Sequence, residues 1–232
     1  MDYKYAYFFG SVVTLVIWFI LFVLRKDLRK EMLILSSVTV LLAPTNILYY
    51  GEYWRPDFVF DLYNFGIESI MVCFAYGGIT GVVYEFLFRK TPLKMKGVNL
   101  QISKLELVVS ISLGLIVMLI LKVFTPLNII YTSSTGLLIV GISFIYFRTD
   151  LLYPSIFSAI ITVVISCLIY WLMLIFFPSF FDLVWIPDTI SNIRLLEIPI
   201  EEYYFHLAIG LCFGVMYEVG FGKIDRRLRK AR

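Results

Sequence analysis

The chain has 232 residues, 60% of them hydrophobic and 16% charged, with a formal net charge of +3. One soluble core cannot hide that much apolar surface, whereas a bilayer can; the slight positive balance gives no reason to expect nucleic acid as a partner. Three cysteines scattered through apolar stretches (Cys73, Cys167, Cys212) and a single histidine argue against a disulfide framework and against a metal site, so no metal is expected.

A spanning helix needs about 20 mostly apolar residues. Seven stretches meet that length: 5–24, 31–50, 66–88, 104–124, 128–147, 153–177 and 200–221. The first runs directly into Arg25-Lys26-Asp27-Leu28-Arg29-Lys30 with no small-residue cleavage pattern, so it reads as a retained span and not as a signal peptide. With seven crossings and the N-terminus outside, the inner side carries Arg25, Lys26, Arg29, Lys30, Arg89, Lys90, Lys94, Lys96, Lys104 and Arg148. The C-terminal stretch adds Lys223, Arg226, Arg227, Arg229, Lys230 and Arg232, and only Lys4, Arg55, Lys122 and Arg194 remain outside. That asymmetry predicts a cytoplasmic C-terminus in the cell membrane.

Two stretches of the chain match. Tyr53-Trp54-Arg55-Pro56-Asp57 answers to Val184-Trp185-Ile186-Pro187-Asp188, and Gly66-Ile67-Glu68 to Pro199-Ile200-Glu201 after a two-residue slip. Gly81-Val82-Val83-Tyr84-Glu85 then answers to Gly214-Val215-Met216-Tyr217-Glu218, and upstream Arg25-Lys26-Asp27-Leu28 resembles Arg148-Thr149-Asp150-Leu151. The preserved order reads as a duplication. The expected fold is therefore an all-α integral membrane protein of about seven transmembrane helices: two parallel three-helix repeats joined by an extra linker helix. The units are 1–90, a basic loop and linker helix at 91–127, the second repeat at 128–222, and a basic tail at 223–232. The fourth helix has no counterpart; one extra crossing makes two three-helix units parallel.

Ionisable groups in or beside a span are costly, and each raises a functional question. Glu68, Glu201 and Glu202 open the third and seventh helices, where acids also complement the positive helix end. Tyr203, Tyr204 and Phe205 follow at once. Burial among such groups favours the neutral carboxylic acid, the form that proton donation to a hydrocarbon needs. His206 lies four residues after Glu202, on the same helix face, placed either for packing or to orient and re-protonate that carboxyl. Glu85 and Glu218 fall about 25 Å further along and read as interfacial ion-pair partners. Trp54 and Trp185 are candidate interface anchors, and Asp57 and Asp188 candidate turn-formers capping a site. No GxGxxG, no Walker loop and no aspartate-rich pair is present, and the seventh helix holds no lysine for retinal. No cofactor is expected.

At these residues the chain resembles the membrane-embedded lycopene cyclases of the small-subunit type, which occur as two three-helix subunits or as a tandem fusion with an added helix. The hallmark Pro-x-Glu-Glu run with aromatics stands here as Pro199-Ile200-Glu201-Glu202-Tyr203-Tyr204-Phe205, trailed by Gly210 and Tyr217-Glu218. The first copy departs from it, with Gly66 for the proline and Ser69 for the second glutamate. The resemblance implies a flavin-free, redox-neutral end-ring cyclisation of a linear carotene. It needs one neutral carboxyl, one base and an aromatic lining for the cation. Glu201 is the expected acid, with Glu68 or Glu202 as the complementary carboxylate, and His206, Tyr203, Tyr204, Phe205, Trp54, Trp185, Asp57 and Asp188 as lining or orienting groups. The expected partners are a hydrophobic polyene or isoprenoid substrate arriving from the bilayer, and membrane lipids. The rival expectation is a proton-coupled carrier, or a protein that binds isoprenoid lipids without reaction; prolines placed mostly at helix ends weigh against the broken helices that carriers use.

Overall fold

The computed structural model describes residues 2–94 and 100–227. Among these residues, seven helices are long and apolar enough to cross a membrane. They are α1 (Tyr3–Leu24), α2 (Arg29–Tyr49), α3 (Ile67–Phe88), α4 (Lys104–Phe124), α5 (Ile129–Phe147), α6 (Thr149–Phe176) and α7 (Ile200–Phe221). Their ends fall within a few residues of the expected spans, and the protein is an all-α multi-pass membrane protein.

Local chemistry sets several of these ends. Ser103 and Glu106 form a reciprocal capping box at the start of α4, which satisfies two amides that lack helical partners. Asn128 caps α5 by accepting from the Ile130 amide at 3.0 Å. Pro199 fixes the entry to α7, its locked φ being suited to that position. Two spans are irregular within. α2 passes through a 3-10 turn at Ala43–Thr45, where Pro44 interrupts the ladder. α7 breaks at Gly214-Val215, where Val215 takes φ −135° and ψ 5°. The break has no proline: Gly214 sits against Ser158 so closely that a Cβ would lie 2.3 Å from the Ser158 Cβ. Two spans are thus irregular inside their bounds, only one of them at a proline.

The helices α3 and α7 form the middle of the bundle, with 61% and 56% of their central residues buried, whereas α4 has 11%. α3 packs between α1 and α2, and α7 between α5 and α6; α3 and α7 touch each other and α3 also meets α6. Among the described residues α4 packs mainly on α5. A Cβ on Gly114 would lie 2.6 Å from the Gly136 carbonyl oxygen, so this crossing is close backbone packing of the small-residue kind found in membranes.

Among the described residues, four short strands lie outside the spans. β1 (Lys90–Lys94) pairs antiparallel with β4 (Lys223–Arg227), and β2 (Arg194–Leu195) pairs with β3 (Ile198–Pro199). The expected loop at 91–127 and tail at 223–232 therefore begin as two strands of one ribbon. Both are launched by left-handed caps, Arg89 at φ 51° and Gly222 at φ 62°, that turn the chain off its helix, and the ladder then pairs backbone groups that a free tail would leave to water. Lys96, Arg229, Lys230 and Arg232 of the expected basic loop and tail lie outside the described residues.

Both ends of the bundle join matched stretches face to face. Trp54 bridges Trp185 antiparallel, flanked by Arg55 N–H donating to Val184 O at 2.7 Å and Ile186 N–H to Tyr53 O at 3.1 Å. At the other end the ribbon centres on Pro92 opposite Asp225, two positions separated by the same spacing as Glu85 and Glu218. The Arg25 side chain holds Asp27 and the Glu85 carbonyl. Arg148 holds Asp150 and the Glu218 carbonyl in the same way. Each acid-bearing helix is preceded by a hairpin with two left-handed residues, Tyr63-Asn64 and Leu196-Glu197, the geometry of a type I′ turn.

The close backbone approach of α6 and α7 predicts a measurable cost. A Cβ at Gly210 would lie 2.5 Å from Ala159 Cα and 2.9 Å from the Ser158 carbonyl oxygen, both backbone atoms of α6. Gly210→Ala should separate α6 from α7 and cost about 1–3 kcal/mol, seen as a lowered unfolding midpoint in detergent; an unchanged midpoint would show that the crossing yields freely.

Candidate functional site

A cavity of about 520 Å³ extends from the tryptophan bridge along α7 as far as Met216, walled by residues from all seven spans. Its lining is almost wholly apolar and aromatic, and Glu202 is the one carboxyl among the described residues that lines it. A few polar groups converging in an apolar cavity of this size are typical of small-molecule sites.

Glu202 is held by donors from three other elements. Tyr53, in the loop after α2, donates to Oε1 at 2.6 Å. Trp185, before α7, donates to the same oxygen at 3.1 Å. The Tyr170 hydroxyl, on α6, hydrogen-bonds Oε2. Burial and the adjacent carboxyl push the Tyr53 hydroxyl well above its ordinary range, so it stays a proton-bearing donor. His206 stands on the next turn of α7, with Nδ1 2.8 Å from the Glu202 carbonyl oxygen and 3.6 Å from Oε2. Its ring packs among Tyr76, Tyr170 and Phe205.

The two matched carboxyls behave differently. Glu68 and Glu201 are fully buried, yet neither lines the cavity. Each turns back to its own loop: Glu68 Oε1 accepts from Val59 N–H at 2.7 Å, and Glu201 Oε1 from Ser191 N–H at 2.9 Å. Glu201 also accepts from the Tyr131 hydroxyl. In both, Oε2 has no hydrogen-bond partner among the described residues. In the match between the two stretches, Ser69 aligns with Glu202 and Cys73 with His206.

Of the other expected groups, Phe205, Trp54 and Trp185 line the cavity. Tyr203 instead donates to the Leu195 carbonyl at 2.7 Å, Tyr204 pairs with Thr135 at 2.8 Å, and Asp57 and Asp188 are exposed. These four are not brought to the cavity. Glu85 and Glu218 are buried near the ribbon end, away from it. Tyr53, Tyr76 and Tyr170 escaped the sequence reading. Tyr53 had a signal, since it adjoins the matched Trp54; Tyr170 and Tyr76 lie inside apolar runs, where a tyrosine looks like any other packed aromatic. Among the described residues no three His, Cys, Asp or Glu side chains converge as a metal site.

With this geometry in hand, comparison with known proteins adds one finding. Residues 128–220 match the family model of the lycopene cyclases. That stretch of the chain is similar to a lycopene cyclase domain. The matched stretch runs from the cap of α5 through α7 and contains Glu202, His206, Tyr170 and Trp185, and it supports a carotenoid cyclase-type function in general. Tyr53, the remaining donor to Glu202, lies outside it. No curated protein matches the chain, and no solved structure does.

The carboxyl cradle predicts an asymmetry between the two bridged tryptophans. Trp185 donates to Glu202, whereas no hydrogen bond from the Trp54 indole is found among the described residues. Trp185→Phe should therefore cost about 1–3 kcal/mol more than Trp54→Phe, the range for a hydrogen bond lost at a buried polar group. Unfolding midpoints of the two variants in detergent give the comparison, and equal losses would mean that Trp185 acts by packing alone.

Proposed function

We propose that the protein is a carotenoid end-ring cyclase acting on a lycopene-like polyene within the membrane, by acid–base isomerisation without net oxidation or reduction. The observation that carries this is the position of Glu202, a single buried carboxyl in an apolar cavity and inside the cyclase-matched stretch. A neutral Glu202 gives its proton to the terminal double bond of the polyene. The O–H bond breaks, a C–H bond forms, and the tertiary cation is attacked by the next double bond, closing a six-membered ring. Loss of a proton from a carbon beside the new cationic centre ends the reaction. Tyr53, Trp185 and Tyr170 remain to hold the carboxylate left after transfer, and the rings of Phe205, Trp54 and Trp185 present π faces to the cation.

Glu202 is preferred to Glu201 as donor because only Glu202 reaches the cavity; Glu201 and Glu68 are assigned the role of fastening the loops that roof it. The chain is further proposed to be two parallel three-helix units from a duplication, with α4 as the added crossing. The matched contacts at both ends of the bundle support this. On the same reading the N-terminus lies outside and the C-terminus in the cytoplasm, as the distribution of lysine and arginine suggests. A C-terminal reporter active in the cytoplasm is the expected result; one active only outside the cell would reverse the orientation.

In a bacterium that accumulates lycopene, the protein should yield cyclised carotenes of unchanged mass. Glu202→Gln should remove about 100- to 10,000-fold of that rate while the protein still accumulates in the membrane. Glu201→Gln should show a smaller loss together with a lower unfolding midpoint. A folded wild type that leaves lycopene untouched would refute the reaction for that substrate, and a folded Glu201→Gln as inactive as Glu202→Gln would move the donor to Glu201.

A further inference from the structure

We infer that His206 is the base that ends the reaction, taking the proton lost from the new ring through Nε2. The inference rests on the cyclase reading above and adds to it the second proton-handling group that the chemistry requires. Nδ1 lies 2.8 Å from the Glu202 carbonyl oxygen. A carbonyl only accepts, so that contact is a hydrogen bond only when Nδ1 bears the proton. In the neutral ring Nε2 is then an open lone pair.

Nε2 is also the nitrogen that faces free space. It has no hydrogen-bond partner among the described residues, yet it is not shut away like the unpartnered oxygens of Glu68 and Glu201. His206 lines two spaces, the cavity and a narrow crevice behind it. The crevice has no room for a water-sized group and exposes no polar atom, which leaves the cavity as the space Nε2 looks into. A histidine serving only to fill the gap between Tyr76, Tyr170 and Phe205 has no need of that opening.

The spacing suits one ring. Acid and base stand on successive turns of α7 with Nδ1 3.6 Å from Glu202 Oε2, so both reach the same end of one polyene. After ring closure the cationic carbon has three neighbouring carbons bearing hydrogen. The base removes one of those protons: the C–H bond breaks, its electron pair becomes the ring double bond, and Nε2 takes the proton. Nδ1, 3.6 Å from Oε2, then gives its proton to the Glu202 carboxylate; this leaves the neutral ring protonated at Nε2, the Nδ1-protonated tautomer returns by proton exchange between turnovers, and no electrons leave or enter. Which carbon loses its proton fixes the position of the double bond, so the place of Nε2 sets the ring isomer. The matched position in the first copy is Cys73, so this base is present once.

The chain holds a single histidine, so nitrogen NMR of histidine-labelled full-length protein in detergent reads this ring alone. The expected spectrum is that of the neutral ring protonated at Nδ1 and bare at Nε2; a ring protonated at Nε2 overturns the inference whether or not the protein is active. The second measurement is the product pattern of His206→Gln in lycopene-accumulating cells, with membrane accumulation as the folding control. Cyclised product should fall about 100-fold or more, and what remains should spread over the three double-bond isomers instead of keeping the wild-type ratio. Glu202→Gln should instead lose all cyclised isomers together. An active wild type with unchanged rate and ratio in His206→Gln overturns the base alone, whereas an inert wild type overturns the cyclase reading and the base with it.

Discussion

A carboxyl group held inside a membrane bundle is the constraint around which this molecule is arranged. Moving an ionisable side chain out of water costs several kcal/mol unless its lone pairs find donors. The chain meets that need at Glu202 with side chains from three separate places: Tyr53 after α2, Tyr170 on α6 and Trp185 before α7. Those donors can converge only if the two halves of the bundle dock, because Tyr53 belongs to the first half and the rest to the second. The antiparallel bridge between Trp54 and Trp185 is the backbone clasp that brings them together. Satisfying one buried acid and assembling the two halves are thus the same structural event.

The halves are alike in scaffold and unlike in chemistry. The arginine clamps, the left-handed helix caps, the type I′ hairpins and the loop-fastening glutamates occur twice in matching places. The cavity groups do not: Glu202 has Ser69 as its counterpart, and His206 has Cys73. The packing is unequal too. α1 lies directly on α6, with Met173 filling the space beside Gly10. On the opposite flank α2 reaches α5 mainly at its end near Tyr49, and α4 stands alongside, contributing Ile111, Leu115 and Met118 to the cavity wall. The helix without a counterpart thus lines the side of the cavity that α1 and α6 close on the other flank. An apolar substrate needs no aqueous route, and a wall made of lightly packed α4 is a wall that the bilayer can reach.

Much of this was legible in the sequence because the signals were long or repeated. Spans of about 20 apolar residues cannot easily be anything else, and all seven were found. The order of matched motifs set Glu68 beside Glu201, and each of the two accepts a hydrogen bond from a loop amide ahead of its helix. The sequence was least informative where function and repetition part. Matching positions draws attention to what the halves share, which here is the fastening of loops, and Glu202 stands out only by lacking a counterpart. Tyr53, Tyr76 and Tyr170 were hidden because an aromatic side chain in a span carries the same pattern whether its hydroxyl is idle or bonded. The ribbon between β1 and β4 was missed for another reason: basic residues after a helix look like a solvated tail, and their pairing depends on two strands about 130 residues apart in sequence.

The distribution of polar groups also bears on catalysis against transport. A proton-coupled carrier must move a charged or polar cargo between two openings, so its path needs polar groups along its length. The break in α7 at Gly214-Val215 is the kind of irregularity such proteins use; Gly214 is packed against Ser158, and the flanking Phe213 and Met216 line the end of the cavity remote from Glu202. In the cavity, Glu202 and His206 are the acid and the imidazole, adjacent on one helix, and the greater part of the wall is hydrocarbon and aromatic ring. A carboxyl and an imidazole 3.6 Å apart at one side of an apolar chamber do not by themselves reach across a membrane. They do match a reaction in which one proton is added and another removed at neighbouring carbons of a molecule that is otherwise all hydrocarbon.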